Sequence, residues 1–279
     1  MTTRELSLGF SPCPNDTFMF YPLIHNLVDT AKFSFRERLE DVETLNNLAL
    51  SKALDISKVS CHAMGYIRDN YALLRSGGAL GRGCGPLLIT SGSAKLDTLT
   101  KKTIAIPGRY TTALLLLRLF NPALEHFVVM PFDKIIDAVL RGDADAGLII
   151  HESRFTYEKY GLRKLADLGE WWEKETGLPV PLGGIVAKRS LGAETIGAVE
   201  QALRDSIIYA RKNPEQAAQY INKHAQEMNA DVCAAHIRLY VNNFSEDLGD
   251  EGSLAIKLLM KKGEQSGIIP ASTAPLFCK

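Results

Sequence analysis

Short apolar runs alternate along this chain with stretches of helical periodicity, which is the pattern of successive β-α-β units. Leu6-Ser-Leu-Gly-Phe10 reads as a strand and Ser11-Pro-Cys-Pro-Asn15 as the turn at its carboxyl end. Asn15 or Asp16 is placed to cap an amphipathic helix over 17–28. Residues 33–39 alternate like a strand with one wet face, and Asp41-Val-Glu-Thr44 offers caps to a helix over 45–53. Lys58-Val-Ser60, running on to Cys61 and Ala63, makes a third short strand, so the series implies parallel pairing with right-handed crossovers.

The pattern then breaks. Gly77, Gly78, Gly81, Gly83 and Gly85 crowd one segment that leads into Pro86-Leu-Leu-Ile-Thr90. Such a run marks positive φ or close backbone approach, and it is expected to be the first crossing between two lobes. A second series follows, with strands over 102–106, 127–130 and 146–150 and helices over 111–120 and 132–140. Leu182-Gly-Gly-Ile-Val-Ala-Lys188 is again strand-like and glycine-rich and reads as the return crossing. Helical pattern fills 194–220, interrupted at Asn213-Pro214, then 230–240 and 253–265. Two α/β lobes, two crossover strands and a helical last third describe a two-lobed α/β fold of the type II periplasmic-binding-protein kind with a central cleft. The expected division is 1–90 together with 186–279 as the first lobe and 91–185 as the second.

Composition narrows the function classes. The chain has 279 residues, 32 basic and 32 acidic side chains and a formal net charge of zero, with no basic stripe to hold nucleic acid. The longest apolar stretch, 113–117, is far shorter than a membrane span. The start, Met1-Thr-Thr-Arg-Glu-Leu, lacks the pattern of a signal peptide. The five cysteines (13, 61, 84, 233, 278) are scattered with no Cys-x-x-Cys pair, as expected of reduced thiols in a cytoplasmic protein. Six histidines show no zinc-binding spacing, so no metal is expected. The expected partner is a small molecule, with neither nucleic acid nor membrane, and a homodimer is compatible with the sequence.

Candidate chemistry gathers at strand ends, where open α/β sheets bind ligands. His151 follows the buried run 146–150, the place for a general base; its plainer reading is a loop histidine with a satisfied hydrogen bond. Asn15-Asp16-Thr17 and Thr111-Thr112-Ala113 stand where polar loops enter helices, and their N–H groups suit a carboxylate or hydroxyls; simple N-capping explains them equally. Lys58, Val59 and Ser60 end a strand on the first-lobe side of the cleft, and Arg82, among the glycines, can face an anionic group. Those glycines lack the spacing of a phosphate loop and lead into a strand. Cys13 precedes a helix start but has no base near it in sequence, which favours a buried structural thiol.

These segments also carry a resemblance. Ser11-Pro-Cys-Pro-Asn-Asp-Thr-Phe18, Leu39-Glu-Asp-Val-Glu-Thr-Leu-Asn46, Ser76-Gly-Gly-Ala-Leu-Gly-Arg-Gly83 and Pro107-Gly-Arg are similar to motifs of the 1,4-dihydroxy-6-naphthoate synthases of the futalosine route to menaquinone. So are Thr111-Thr112-Ala113, Gly147-Leu-Ile-Ile-His-Glu-Ser-Arg-Phe-Thr-Tyr157, Trp171-Trp172 and Thr176-Gly-Leu-Pro179, and the likeness covers essentially the whole chain. It implies a periplasmic-binding-protein-like fold turned to cofactor-free carbon–carbon cleavage. Cyclic dehypoxanthine futalosine would be the substrate and His151 the base, with the 58–60 strand end and the 111–113 helix start binding substrate. Glu152 or a nearby carbonyl would orient the imidazole. The competing class is a non-catalytic solute-binding protein of the same fold.

Overall fold

The computed structural model describes residues 4–30, 32–92, 94–151, 153–225 and 229–278. The chain begins with β1 (Arg4–Phe10), α1 (Pro14–Ile24), β2 (Phe33–Leu39), α2 (Val42–Leu50), β3 (Ile56–Ser60), α3 (Cys61–Ile67), β4 (Tyr71–Leu73) and β5 (Ala79–Gly81). It continues through β6 (Leu87–Thr90), β7 (Ile104–Ile106), α4 (Thr112–Phe120), β8 (Phe127–Val129), α5 (Ile135–Arg141), β9 (Ala146–Ile149), α6 (Ser153–Thr156), β10 (Arg163–Asp167), α7 (Leu168–Thr176) and β11 (Val180–Lys188). Five helices complete it: α8 (Ala193–Lys212), α9 (Ala218–His224), α10 (Ala230–Tyr240), α11 (Asn243–Glu246) and α12 (Gly249–Gln265).

Two sheets result. The first runs β2-β1-β3-β11-β4, with β5 also on β11; the second runs β10-β6-β9-β7-β8. The β-α-β portions pair in parallel, β1 with β2 and β3, and β7 with β8 and β9. Strands next to the crossings pair antiparallel, β11 with β3 and β6 with β9, because there the chain arrives from the other sheet and not through a β-α-β crossover within the same sheet. This is the two-lobed α/β fold expected from the pattern. The chain passes between sheets at 82–86 and 168–179, so β6 lies wholly in the second sheet and β11 wholly in the first. The glycines of β11 serve close packing within that sheet. A Cβ on Gly183 would press on the Val59 carbonyl, and one on Gly184 would meet Leu73.

Local details depart from the sequence pattern in instructive ways. Helix α1 starts at Pro14, with Cys13 as its N-cap residue and no side-chain cap, so Asn15 and Asp16 sit inside the first turn and are buried. Proline suits that opening because it has no N–H to leave unpaired. Asp41 caps α2 as expected, accepting from the Glu43 and Thr44 N–H groups. The third strand stops at Ser60, and Cys61 and Ala63 belong to α3.

Three apolar layers hold the sheets. Helices α1, α8 and α9 cover one face of the first sheet through Leu6, Leu8, Phe20, Ile196 and Ile207. Ile135, Val139 and Ile149 fill the outer face of the second. A central layer joins both lobes, linking Val59 and Tyr71 to Ile104, the Leu114–Leu117 run, Trp172 and Leu259. Between the sheets the two crossing segments touch backbone to backbone at Gly85 and Gly169, with no room for a Cβ on either. Trp172, fully buried beside them, donates from Nε1 to the Pro179 carbonyl at 3.0 Å. Gly85→Ala is therefore expected to lower unfolding free energy by about 1–3 kcal/mol through overpacking against backbone. An unchanged denaturation midpoint would show that the crossings can part without cost.

Candidate active site

Strand β3 is buried along its whole length, so Lys58 needs a partner for its charge. Asp16 supplies it, with Nζ to Oδ1 at 2.6 Å and both side chains under one-tenth exposed. Asp16 sits in the first turn of α1, where the helix dipole favours a carboxylate. Its Oδ2 also accepts from the Ser11 N–H at 3.1 Å and the Ser11 hydroxyl at 2.7 Å. The Asn15 amide donates to Oδ1 at 2.9 Å. A carboxylate only accepts, so this bond turns the Asn15 carbonyl oxygen toward His236 Nε2, 2.9 Å away. That oxygen must receive a proton, which fixes neutral His236 as the Nε2–H tautomer. A chain of four side chains thus runs from Lys58 across to helix α10.

His151 approaches from the second sheet. It lies just past the end of β9 with φ of 57°, a left-handed backbone that a non-glycine residue adopts at a cost of about 1–3 kcal/mol. Its ring lies parallel to that of His236, centroids 6.1 Å apart, and tilted against Phe132 at 5.0 Å. Its Nδ1 is 3.5 Å from the Cys13 thiol of the first lobe. The imidazole is therefore held by groups from both lobes. The base that Cys13 lacks in sequence is 138 residues away.

The third wall is the start of α4. Thr111 caps it, accepting from the Leu114 N–H at 3.4 Å and donating its hydroxyl proton to the Gly108 carbonyl at 3.0 Å. The Thr112 hydroxyl donates to the Leu182 carbonyl. Opposite, the Ser60 N–H donates to Asn46 Oδ1 at 2.9 Å and its hydroxyl accepts from Asn46 Nδ2 at 3.2 Å. Together these walls line one cleft between the sheets, about 690 Å³ with its open mouth included.

Of the residues singled out in sequence, Asn15, Lys58, Val59, Ser60, Thr111, Thr112, Ala113 and His151 line this one cleft. Arg82 is not among its lining residues: the half-exposed guanidinium turns away to Glu251, at 2.8 Å, and to the Gly177 carbonyl. Glu152, the suggested orienter of His151, falls outside the described residues. Sequence reasoning selects Asp16 only as part of a helix start and does not select Ser11, His236 or Tyr240, all of which line the cleft. Their signal was present in part, since Cys233, His236 and Tyr240 fall on one buried face of α10. Among the described residues no group of three or more His, Cys, Asp or Glu side chains is placed to hold a metal ion. Nor, among them, is any helix long and apolar enough to cross a membrane.

Comparison with known proteins decides the family. Residues 6–265 match the family model described as menaquinone biosynthesis. The chain belongs to the menaquinone biosynthesis family. Within that family it is 49% identical to the 1,4-dihydroxy-6-naphthoate synthase of Thermus thermophilus, over 98% of this chain and 99% of the relative. It is 46% identical to the Streptomyces coelicolor protein of the same name, over 97% of each. Among solved structures, protein AF1704 of Archaeoglobus fulgidus superposes with a TM-score of 0.88 at 37% identity, covering 95% of this chain and 98% of that one. A Candida albicans protein described as having the generic periplasmic binding protein fold gives 0.69 at 16% identity, over 98% and 92% of the two chains, a likeness of fold alone. This family member is accordingly an enzyme of menaquinone biosynthesis with a periplasmic-binding-protein-like fold.

Two buried histidines make its stability depend on pH. Burial, followed by the charges of His151 and Lys58, pushes His236 well below its ordinary 6.5. Burial also lowers His62 to about 4; its Nδ1–H donates to the Thr111 carbonyl at 3.1 Å, and Nε2 has no hydrogen-bond partner among the described residues. Below pH 6.5 the unfolded chain takes up protons that the folded one refuses, so stability falls with pH through that window. For His62 the loss approaches roughly 3 kcal/mol by pH 4. Denaturant midpoints should drop from pH 7 to pH 5, and less steeply in His62→Gln; equal slopes would remove His62 from the account.

Proposed function

We propose that the cleft converts cyclic dehypoxanthine futalosine to 1,4-dihydroxy-6-naphthoate, a carbon–carbon lyase reaction, with His151 as general base. The observation that carries this reading is the placing of His151: a strand-end imidazole on left-handed backbone of one lobe, set beside Cys13 and His236 of the other, at the wall of the cleft. Aromatising the second ring removes a proton from carbon and expels the sugar-derived fragment. Imidazole takes up protons in the physiological range and is suited to the first task. Two lobes meeting over the substrate exclude water and fix the leaving fragment in line.

The other residues bind. The α4 start at Thr111–Ala113, with N–H groups and the positive dipole end, receives the substrate carboxylate or hydroxyls, as do Ser60 and Asn15. The Lys58 ammonium, paired with the Asp16 carboxylate, gives the floor of the cleft a buried polar ion pair with no net charge. No cofactor takes part in this scheme, and the reaction belongs in the cytoplasm. A solute-binding protein of the same fold would hold its ligand without turnover.

His151→Ala should lower turnover to naphthoate by about 10²–10⁴-fold, the contribution of a positioned base. Substrate affinity by calorimetry should stay within a few-fold. Near-wild-type turnover by the variant would remove His151 from the mechanism, and binding without turnover by the unaltered protein would favour the solute-binding reading.

A further inference from the structure

Two of the segments quoted from the sequence, Asp41-Val-Glu-Thr44 and Pro107-Gly-Arg109, meet in space although 66 residues separate the partners. Glu43 stands in the first turn of α2, which packs on the first sheet. The loop 107–111 follows β7 of the second sheet and leads directly into the α4 wall of the cleft. One Glu43 carboxylate oxygen accepts from the Arg109 N–H at 2.6 Å and the Tyr110 N–H at 3.2 Å; the other lies 3.1 Å from the same Tyr110 nitrogen. Asn46, one turn further along α2, donates to the second oxygen and to the Tyr110 carbonyl, both at 3.3 Å. It is also the residue that holds Ser60. A Cβ on Gly108 would fall on the Glu43 carboxylate and push it aside.

We propose that Glu43 is a positioning residue for the synthase reaction: from the first lobe its carboxylate clamps the 108–111 loop and thereby holds the Thr111–Ala113 wall at substrate-binding distance from Ser60. The role rests on the synthase reading for its effect on turnover, while the clamp itself is a property of the protein without substrate. A carboxylate is fitted to this task because it presents two acceptors to adjacent backbone donors, and such charge-assisted bonds exceed neutral ones in strength. Glycine at 108 is the complement that lets the carboxylate reach them. Asn46 connects the clamp to the Ser60 strand end, so the two substrate-binding walls are set from one turn of α2.

The test is amide hydrogen exchange on the full chain without ligand, paired with steady-state kinetics. In Glu43→Ala the Arg109 and Tyr110 amides should exchange at least about tenfold faster, with β1 and β3 protection and the denaturation midpoint little changed. The kcat/KM for naphthoate formation should fall by about tenfold or more, and Glu43→Gln, keeping one acceptor oxygen, should lie between. Gly108→Ala should reproduce the loss alone and add little in the Glu43→Ala background, since the collision has then gone. Amides that stay protected in Glu43→Ala, unchanged kcat/KM, or additive effects of the two substitutions would each overturn the proposal. If the unaltered protein forms no naphthoate, the synthase reading fails, and the exchange data still decide the clamp.

Discussion

The buried pair between Lys58 and Asp16 is the interaction on which the cleft depends. A lysine in the middle of a fully buried strand is costly unless its charge is met, and breaking such a pair typically costs about 3–5 kcal/mol because the surviving charge is stranded. Asp16 meets it from the first turn of α1, which begins at Pro14. The same carboxylate gathers the Ser11 turn and Asn15, and Asn15 sets the tautomer of His236. The floor of the cleft is thus one hydrogen-bonded unit joining the turn after β1, β3, α1 and α10. Rigidity here matters because the opposing lobe presents its imidazole to this surface.

Division of labour between the lobes follows. The first sheet and α10 supply a fixed polar floor, and the second sheet supplies His151 and the α4 start. In the proposed mechanism a substrate spanning the cleft touches both, so that closing the lobes on it would also assemble the site. In the proposed mechanism, a fold otherwise associated with ligand capture becomes an enzyme because one strand end on the cleft carries a base. The left-handed backbone at His151 is consistent with that role, since strain of this kind persists where the surroundings over-determine it.

Much of this was legible in the sequence. Apolar runs of strand length and helical periodicity located most strands and helices, because burial on both faces of a parallel sheet leaves a continuous apolar run. The residues marked by strand ends and helix starts converge on one cleft, apart from Arg82, whose exposed guanidinium found Glu251 instead. What could not be read were pairings between distant positions. Asp16 looks like a helix cap until Lys58, 42 residues on, is placed beside it. Cys13 looks solitary until His151 arrives from the other lobe. The short strand β10 and helix α7 escaped notice for a related reason: β10 is an edge strand with exposed and half-buried residues, and its identity depends on antiparallel pairing with β6.

The most direct test of the central claim is a crystal structure of His151→Ala with cyclic dehypoxanthine futalosine bound. The account predicts ligand density in the cleft between the Thr111–Ala113 helix start and Ser60, with the scissile region facing the space vacated by the imidazole. Density at another surface, or in the cleft with its reacting carbons turned toward the Lys58–Asp16 floor and away from position 151, would contradict it.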